Sequence, residues 1–193
     1  MMNRFLGLFA ASITANAATL FAQTERPNVL MVIVDDWGYH DLSLPGSRLY
    51  ETQNIDRLAD ESTTFSQAYV AYPRSVPSRY SIMTGRHCAR MQPGAKSDDR
   101  KVDADSYCIA EPFKAGGYET FFIGKWHLSD GKTFPQHKGF DTNIGGGKAG
   151  GTGTHFAPFN KPGETHADKL IYGMDDAQPG EYLTDYMSRK TVD

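Results

Sequence analysis

The chain has 193 residues, a formal net charge of −3, 39% hydrophobic and 12% aromatic residues, and two cysteines. That length allows one domain with a real core, and that composition excludes a disordered chain. The charge balance gives no broad basic field, which excludes nucleic acid or an anionic membrane as a partner read from charge.

Residues 1–22 carry Arg4 near the start, an apolar stretch from Phe5 to Ile13, and Ala15, Ala17, Ala18 and Ala22 near a cleavage point. This is the pattern of a secretory signal peptide. Ser12, Thr14 and Asn16 break the apolar run, which is short for a membrane span. The expectation is a protein that is periplasmic or secreted, with no membrane contact once the signal is removed.

Asn28 to Val34 is a continuous apolar run rich in β-branched residues, which predicts a strand buried on both faces of a parallel sheet. It ends at Asp35-Asp36. Ligand sites gather at the carboxyl ends of such strands, and two adjacent carboxylates facing one site repel unless a proton or a metal neutralises them. Oxygen donors suit a hard cation, calcium or magnesium. An Asp turn after the strand is the alternative reading.

Thr52 to Ala59 predicts an amphipathic helix capped by Asn54, with Ile55, Leu58 and Ala59 on a packing face. Phe65 to Ala71 reads as a short strand leading to a turn, Tyr72-Pro73-Arg74, that presents Ser75. Pro77 belongs in the first turn of a helix, with Ser75 just outside it and Gly85 near its far end. Ser75 would then stand where free backbone N–H groups favour an oxyanion, one turn from the Arg79 fork. Taken alone, Ser-x-Pro is also an ordinary helix cap.

Met91 to Asp105 is polar and reads as a loop, followed by a helix from Ser106 to a stop at Gly116-Gly117. Tyr118 to Ile123 predicts a second buried strand ending at Gly124-Lys125-Trp126-His127, where the strand-end rule would bring Lys125 and His127 to the same cleft; taken alone, each is also read as a solvated or core residue. Residues 139–163 read as a loop. The formal GxGxxG from Gly145 to Gly150 is rejected as a dinucleotide site, since no apolar strand precedes it and no helix follows; Ala149 after Lys148 rejects a P-loop. A last helix begins within Gly180 to Met187. Cys88 and Cys108 can pair or remain two buried thiols; neither has the spacing of a zinc or redox motif.

Several of these stretches together carry a resemblance. Ser75-Val76-Pro77-Ser78-Arg79 followed by Met83-Thr84-Gly85-Arg86 resembles the signature of the type I sulfatases, in the variant whose first position is serine. Asp35 to Tyr39, Asn54 to Ala59 and Gly124 to Leu128 extend the likeness, which covers Pro27 to His127 and more loosely the rest. Gln53 and Ser62 stand where the family usually has proline and glycine, both in local turn chemistry.

The resemblance implies an α/β, alkaline phosphatase-like fold, mostly parallel sheet flanked by helices on both faces. Residues 23–193 would be the N-terminal portion of the catalytic domain. It implies a sulfuric ester hydrolase, arylsulfatase-like, acting on a carbohydrate sulfate or aryl sulfate. Ser75 would be oxidised to formylglycine by a maturation enzyme, and calcium, before magnesium, would be held by Asp35, Asp36 and the modified Ser75. Arg79 would hold the hydrate of formylglycine, Lys125 would neutralise charge growing on the sulfate, and His127 would orient hydrate or sulfate. The family's further ligands, an Asp-Asn or similar pair with another His and Lys, have no counterpart in the 193 residues, so this chain by itself is expected to be inactive. The alternatives are a phosphate or phosphonate ester hydrolase of the same superfamily, or a fragment that only binds sulfated glycans.

Overall fold

Two short parallel strands and four helices are the regular elements among the residues that the computed structural model describes, 26–43, 46–90, 102–129, 132–160 and 171–193. The order is α1 (Gln53–Asp60), α2 (Ser75–Thr84), α3 (Ala110–Ala115), β1 (Phe121–Ile123), β2 (Thr142–Ile144) and α4 (Leu183–Val192), with single turns of 3-10 helix at Cys88–Arg90 and Pro135–Lys138. The chain divides into two compact units, one ending at Gly38 and one over Tyr39–Asp193. The proposed signal peptide lies outside the described residues. No described helix is long and apolar enough to cross a membrane.

In the first unit the expected strand over Asn28 to Val34 is not formed: the run has no regular structure, and Leu30 and Val32 are about three-quarters exposed. A strand needs neighbours to take its backbone N–H and C=O groups, and no strand pairs with these residues among those described.

The second unit is organised by β1 and β2, which pair in parallel with Phe121 opposite Thr142 and Ile123 opposite Ile144. The strand β1 is the predicted one, shortened to three residues. Its partner β2 falls inside the stretch read as loop, because Thr142-Asn143-Ile144 is too short to show a period. It directly precedes Gly145, yet with two polar residues of three it is not the apolar strand that a dinucleotide site requires, and no helix follows among residues 145–160.

One core holds Val76, Tyr80 and Met83 of α2 against Phe122, Trp126 and Leu128. Burying each such side chain contributes roughly 1.5–3 kcal/mol. The alternation matters here: Trp126 and Leu128 are buried, whereas Lys125 and His127, which alternate with them, are half-buried. Trp126 is fixed further by its Nε1–H, which donates to the Thr133 carbonyl at 2.8 Å. A second cluster seats α4, with Tyr186 wholly buried against Phe159 and Met174. The Tyr186 hydroxyl donates to Asp176 at 2.6 Å, and hydrogen bonds from Lys190 and Tyr186 hold the Asp176 carboxyl down at about 2.

Other boundaries move for local reasons. Helix α1 is capped by Thr52 rather than Asn54, because Ser43 reaches Thr52 and Asp56 in one network: the Thr52 N–H donates to Ser43 Oγ at 2.9 Å, and Ser43 Oγ donates to Asp56 at 2.7 Å. No residue of α1 is buried, so its expected packing face is open among the described residues. Residues 65–70 form no strand and are exposed. Helix α3 starts at Ala110, four residues late, after a turn in which the Ser106 N–H donates to the Asp103 carbonyl.

Cys88 and Cys108 are both free and buried in the first core. Burial pushes the Cys108 thiol up to about 11 from 9.0, with Lys138 offsetting part of the rise. A raised folded value means that this group's contribution to stability is complete below pH 9 and is lost as pH rises through about 11. Accordingly, an aromatic disulfide reagent at pH 8 is expected to label Cys108 only after denaturation, as followed by peptide mass. Rapid labelling of the native protein would contradict the buried placement.

Candidate active site

Helix α2 begins at Ser75 itself, one residue earlier than the sequence predicts, with Arg74 as extended N-cap and Pro77 in the first turn. The first intrahelical bond runs from the Ser78 N–H to the Arg74 carbonyl at 3.1 Å, since Pro77 has no N–H to give. Gly85 closes the helix in a left-handed conformation at φ +65°, its N–H donating to the Ser81 carbonyl. The buried face of Val76, Tyr80 and Met83 fixes the rotation of the helix. Ser75 and Arg79, four residues apart, thereby share one side of it.

Arg79 is 7% exposed. Its Nε donates to Ser75 Oγ at 3.2 Å, and its Nη1 donates to the backbone carbonyl of Lys125. One planar fork thus ties the start of α2 to the end of β1, which a single ammonium could not do with the same geometry. His127 Nδ1 lies 3.2 Å from Ser75 Oγ on the other side. Three of the predicted residues are joined in one cluster, and Lys125 enters it through its main chain.

His127 sits at φ +58°, uncommon for a residue with a side chain. A conformation of this kind, costing about 1–3 kcal/mol, persists where surrounding contacts fix it. The His127 N–H donates to the Gly147 carbonyl at 3.0 Å, and the Gly124 N–H donates to Ile144 at 2.8 Å. The loop after β2 is itself held by Asn143, whose side chain accepts from the Gly146 N–H at 3.0 Å and donates to the Gly146 carbonyl at 2.9 Å. The glycine-rich stretch from Gly145 to Gly150, read from sequence as surface loop, is therefore a wall of the site. Its only sequence signal was the density of glycines, which has many other causes.

Asp35 and Asp36 lie in a turn at the end of the first unit, and Asp36 adopts φ +56°, a conformation that Asp tolerates better than most residues. The Ser75 cluster belongs to the other unit, Tyr39–Asp193. Their carboxylates have the hard-oxygen chemistry that calcium takes. Among the described residues no group of three or more His, Cys, Asp or Glu could hold a metal ion. The donor type fits, while the donor number among the described residues is small. His155 and Phe156 are exposed, and neither contributes to the Ser75 cluster.

Comparison with known proteins gives the same family from three directions. Residues 27–191 match the family model described as Sulfatase. Arylsulfatase A of Bos taurus is 35% identical over 141 residues, 69% of this chain and 28% of that protein. An N-acetylgalactosamine-6-O-sulfatase of Bacteroides thetaiotaomicron is 35% identical over 111 residues, 56% of this chain and 22% of that protein. The crystal structure of Ps i-CgsB in complex with k-i-k-neocarrahexaose superposes with a TM-score of 0.68 at 32% identity, covering 82% of this chain and 38% of that one. The chain thus spans well under half the length of each of these relatives. The alkaline phosphatase-like fold expected from the sequence is the fold of this solved neighbour. With the family model matched from residue 27 to residue 191, and a fold shared at 32% identity, the chain belongs to the sulfatase family.

Proposed function

We propose that the full-length protein hydrolyses sulfate esters of a carbohydrate, with Ser75 converted to formylglycine. The observation that carries this reading is Ser75 Oγ at the N-terminus of α2, with Arg79 Nε and His127 Nδ1 each 3.2 Å away. A carbohydrate substrate is supported by the names of relatives, a hexosamine 6-O-sulfatase and a structure holding a neocarrahexaose.

Formylglycine, formed from Ser75, would supply a nucleophilic hydroxyl toward sulfur that can be regenerated after each turnover, which a plain serine cannot. Calcium, with Asp35 and Asp36 among its ligands, would supply Lewis acidity toward a sulfate oxygen. The rest is the work of this chain's side chains. Arg79, buried and fixed by the Lys125 carbonyl, keeps its Nε–H directed at the oxygen on the side chain of residue 75 and favours its anionic form. His127 Nδ1 accepts or donates a proton at that same oxygen, according to its tautomer. The Lys125 ammonium balances charge growing on the sulfate oxygens as the bond to the leaving alcohol breaks. The leader over residues 1–22 would take the protein to the periplasm or outside the cell, where polymeric sulfated carbohydrates are accessible.

Peptide mass spectrometry of the protein from its host tests the reading, together with sulfate and phosphate release from matched esters. The expected result is a loss of two hydrogens at Ser75, with sulfate released in preference to phosphate. An unmodified Ser75 with phosphate release would instead favour a phosphoryl hydrolase using the serine hydroxyl directly.

A further inference from the structure

We infer that Gly150 is a positioning residue for His127: the absence of a side chain at Gly150 makes the space in which the imidazole lies against Ser75. A Cβ at Gly150 would stand 2.5 Å from His127 Cε1, 2.7 Å from Nε2 and 3.0 Å from Nδ1. These are separations that no side chain tolerates without movement, and all three involve the ring.

The ring has little freedom to yield in place. Its own backbone is held at φ +58° by the bond from the His127 N–H to the Gly147 carbonyl, three residues before Gly150 on the same loop. The loop is in turn anchored at Gly146 by both polar atoms of Asn143. One segment therefore bounds His127 twice, by the hydrogen bond to its main chain at Gly147 and by its closeness to the imidazole at Gly150. A methyl group at Gly150 has one cheap outlet, rotation of the imidazole away from the loop. That rotation breaks the 3.2 Å contact between Nδ1 and Ser75 Oγ. The neighbouring Gly151 meets nothing within 4 Å when a Cβ is added, and Gly146 of the same run is crowded by Asn143, Pro135 and Phe122 instead, so the collision with the His127 ring belongs to Gly150.

The inference rests on the proposed role of His127 at residue 75, and its test separates the two. In the full-length protein, Gly150→Ala is expected to lower kcat for a sulfated carbohydrate by about 10- to 100-fold, the scale of a displacement near 1 Å at a reacting group. KM should stay within about threefold, since substrate contacts elsewhere are unaltered. Gly151→Ala should leave kcat at the wild-type level. In a His127→Ala background, adding Gly150→Ala should change kcat by less than about twofold, because the ring it acts through is gone.

Labelled-histidine NMR, with the His127 signal assigned by its loss in His127→Ala, reads the ring directly. Gly150→Ala should move the chemical shift of that signal, and Gly151→Ala should leave it in place. If Gly150→Ala does not fold, the double variant with His127→Ala should, since the collision is relieved; a double variant that also fails to fold overturns the inference. So does an unmoved His127 signal, or an equal loss of kcat with and without His127. Should the wild type release no sulfate while the His127 signal still moves, the functional reading falls and the positioning role stands.

Discussion

Ser75→Ala is expected to abolish sulfate release by the full-length protein, with a fall in kcat on the order of 10³-fold or more, the scale seen when a covalent nucleophile is removed. The side chain at residue 75 is the one atom group on which the cluster converges: Arg79 Nε and His127 Nδ1 both reach its oxygen. Alanine keeps the backbone of α2 and its N-terminal position but leaves nothing to oxidise. Stability should change little, by about 1 kcal/mol or less, because the lost hydroxyl is only half-buried and made two long hydrogen bonds. Ion chromatography of released sulfate, paired with a thermal melt, separates loss of chemistry from loss of fold. Turnover that survives Ser75→Ala would remove residue 75 from the mechanism and leave the cluster as a structural cap.

The second large effect belongs to Arg79, and it should appear in stability and activity together. Arg79→Ala removes a guanidinium that is 7% exposed and leaves the Lys125 carbonyl without that donor. A cost of about 2–4 kcal/mol is expected from the abandoned partners and the lost packing, which lowers the melting temperature by roughly 5–15 °C for a chain of this size. Activity should fall about 10²- to 10³-fold, as when one fixed donor to developing negative charge is lost. Arg79→Lys is the informative companion. An ammonium can meet the Lys125 carbonyl or Ser75 Oγ, but it lacks the planar fork that meets both. Partial recovery of the melt with little recovery of kcat would match the bridging role. Full recovery of both would show that charge alone suffices.

These expectations draw on two kinds of legibility. Pro77 and Gly85 bracket α2 within one residue of their predicted places, because a fixed φ and a left-handed stop act through the local chain alone. The end of β1 was legible for a similar reason, since Gly124 follows an apolar run without interruption. By contrast, Asn28 to Val34 has the composition of a buried strand and lies exposed, and Leu58 of the predicted packing face of α1 is 63% exposed. Composition records what a segment is suited to pack against; it cannot supply the partner. Strand β2 was missed at Thr142-Asn143-Ile144 because three residues carry no period, and its place beside β1 depends on long-range hydrogen bonds.

Residue identity and short spacing carry the chemical inventory and the family: Ser75 two residues before a proline, Arg79 one turn on, and Lys125 and His127 after a strand. Those features survive without knowledge of contacts. Packing alone brings one arm of the Arg79 fork to the Lys125 backbone, Nδ1 of His127 to Ser75 Oγ, and Gly150 to the place where it clears the space for that ring. The physical reason is that each is a distance between residues 23 to 52 positions apart, fixed by the packing of α2 against Trp126 and by the loop that follows β2.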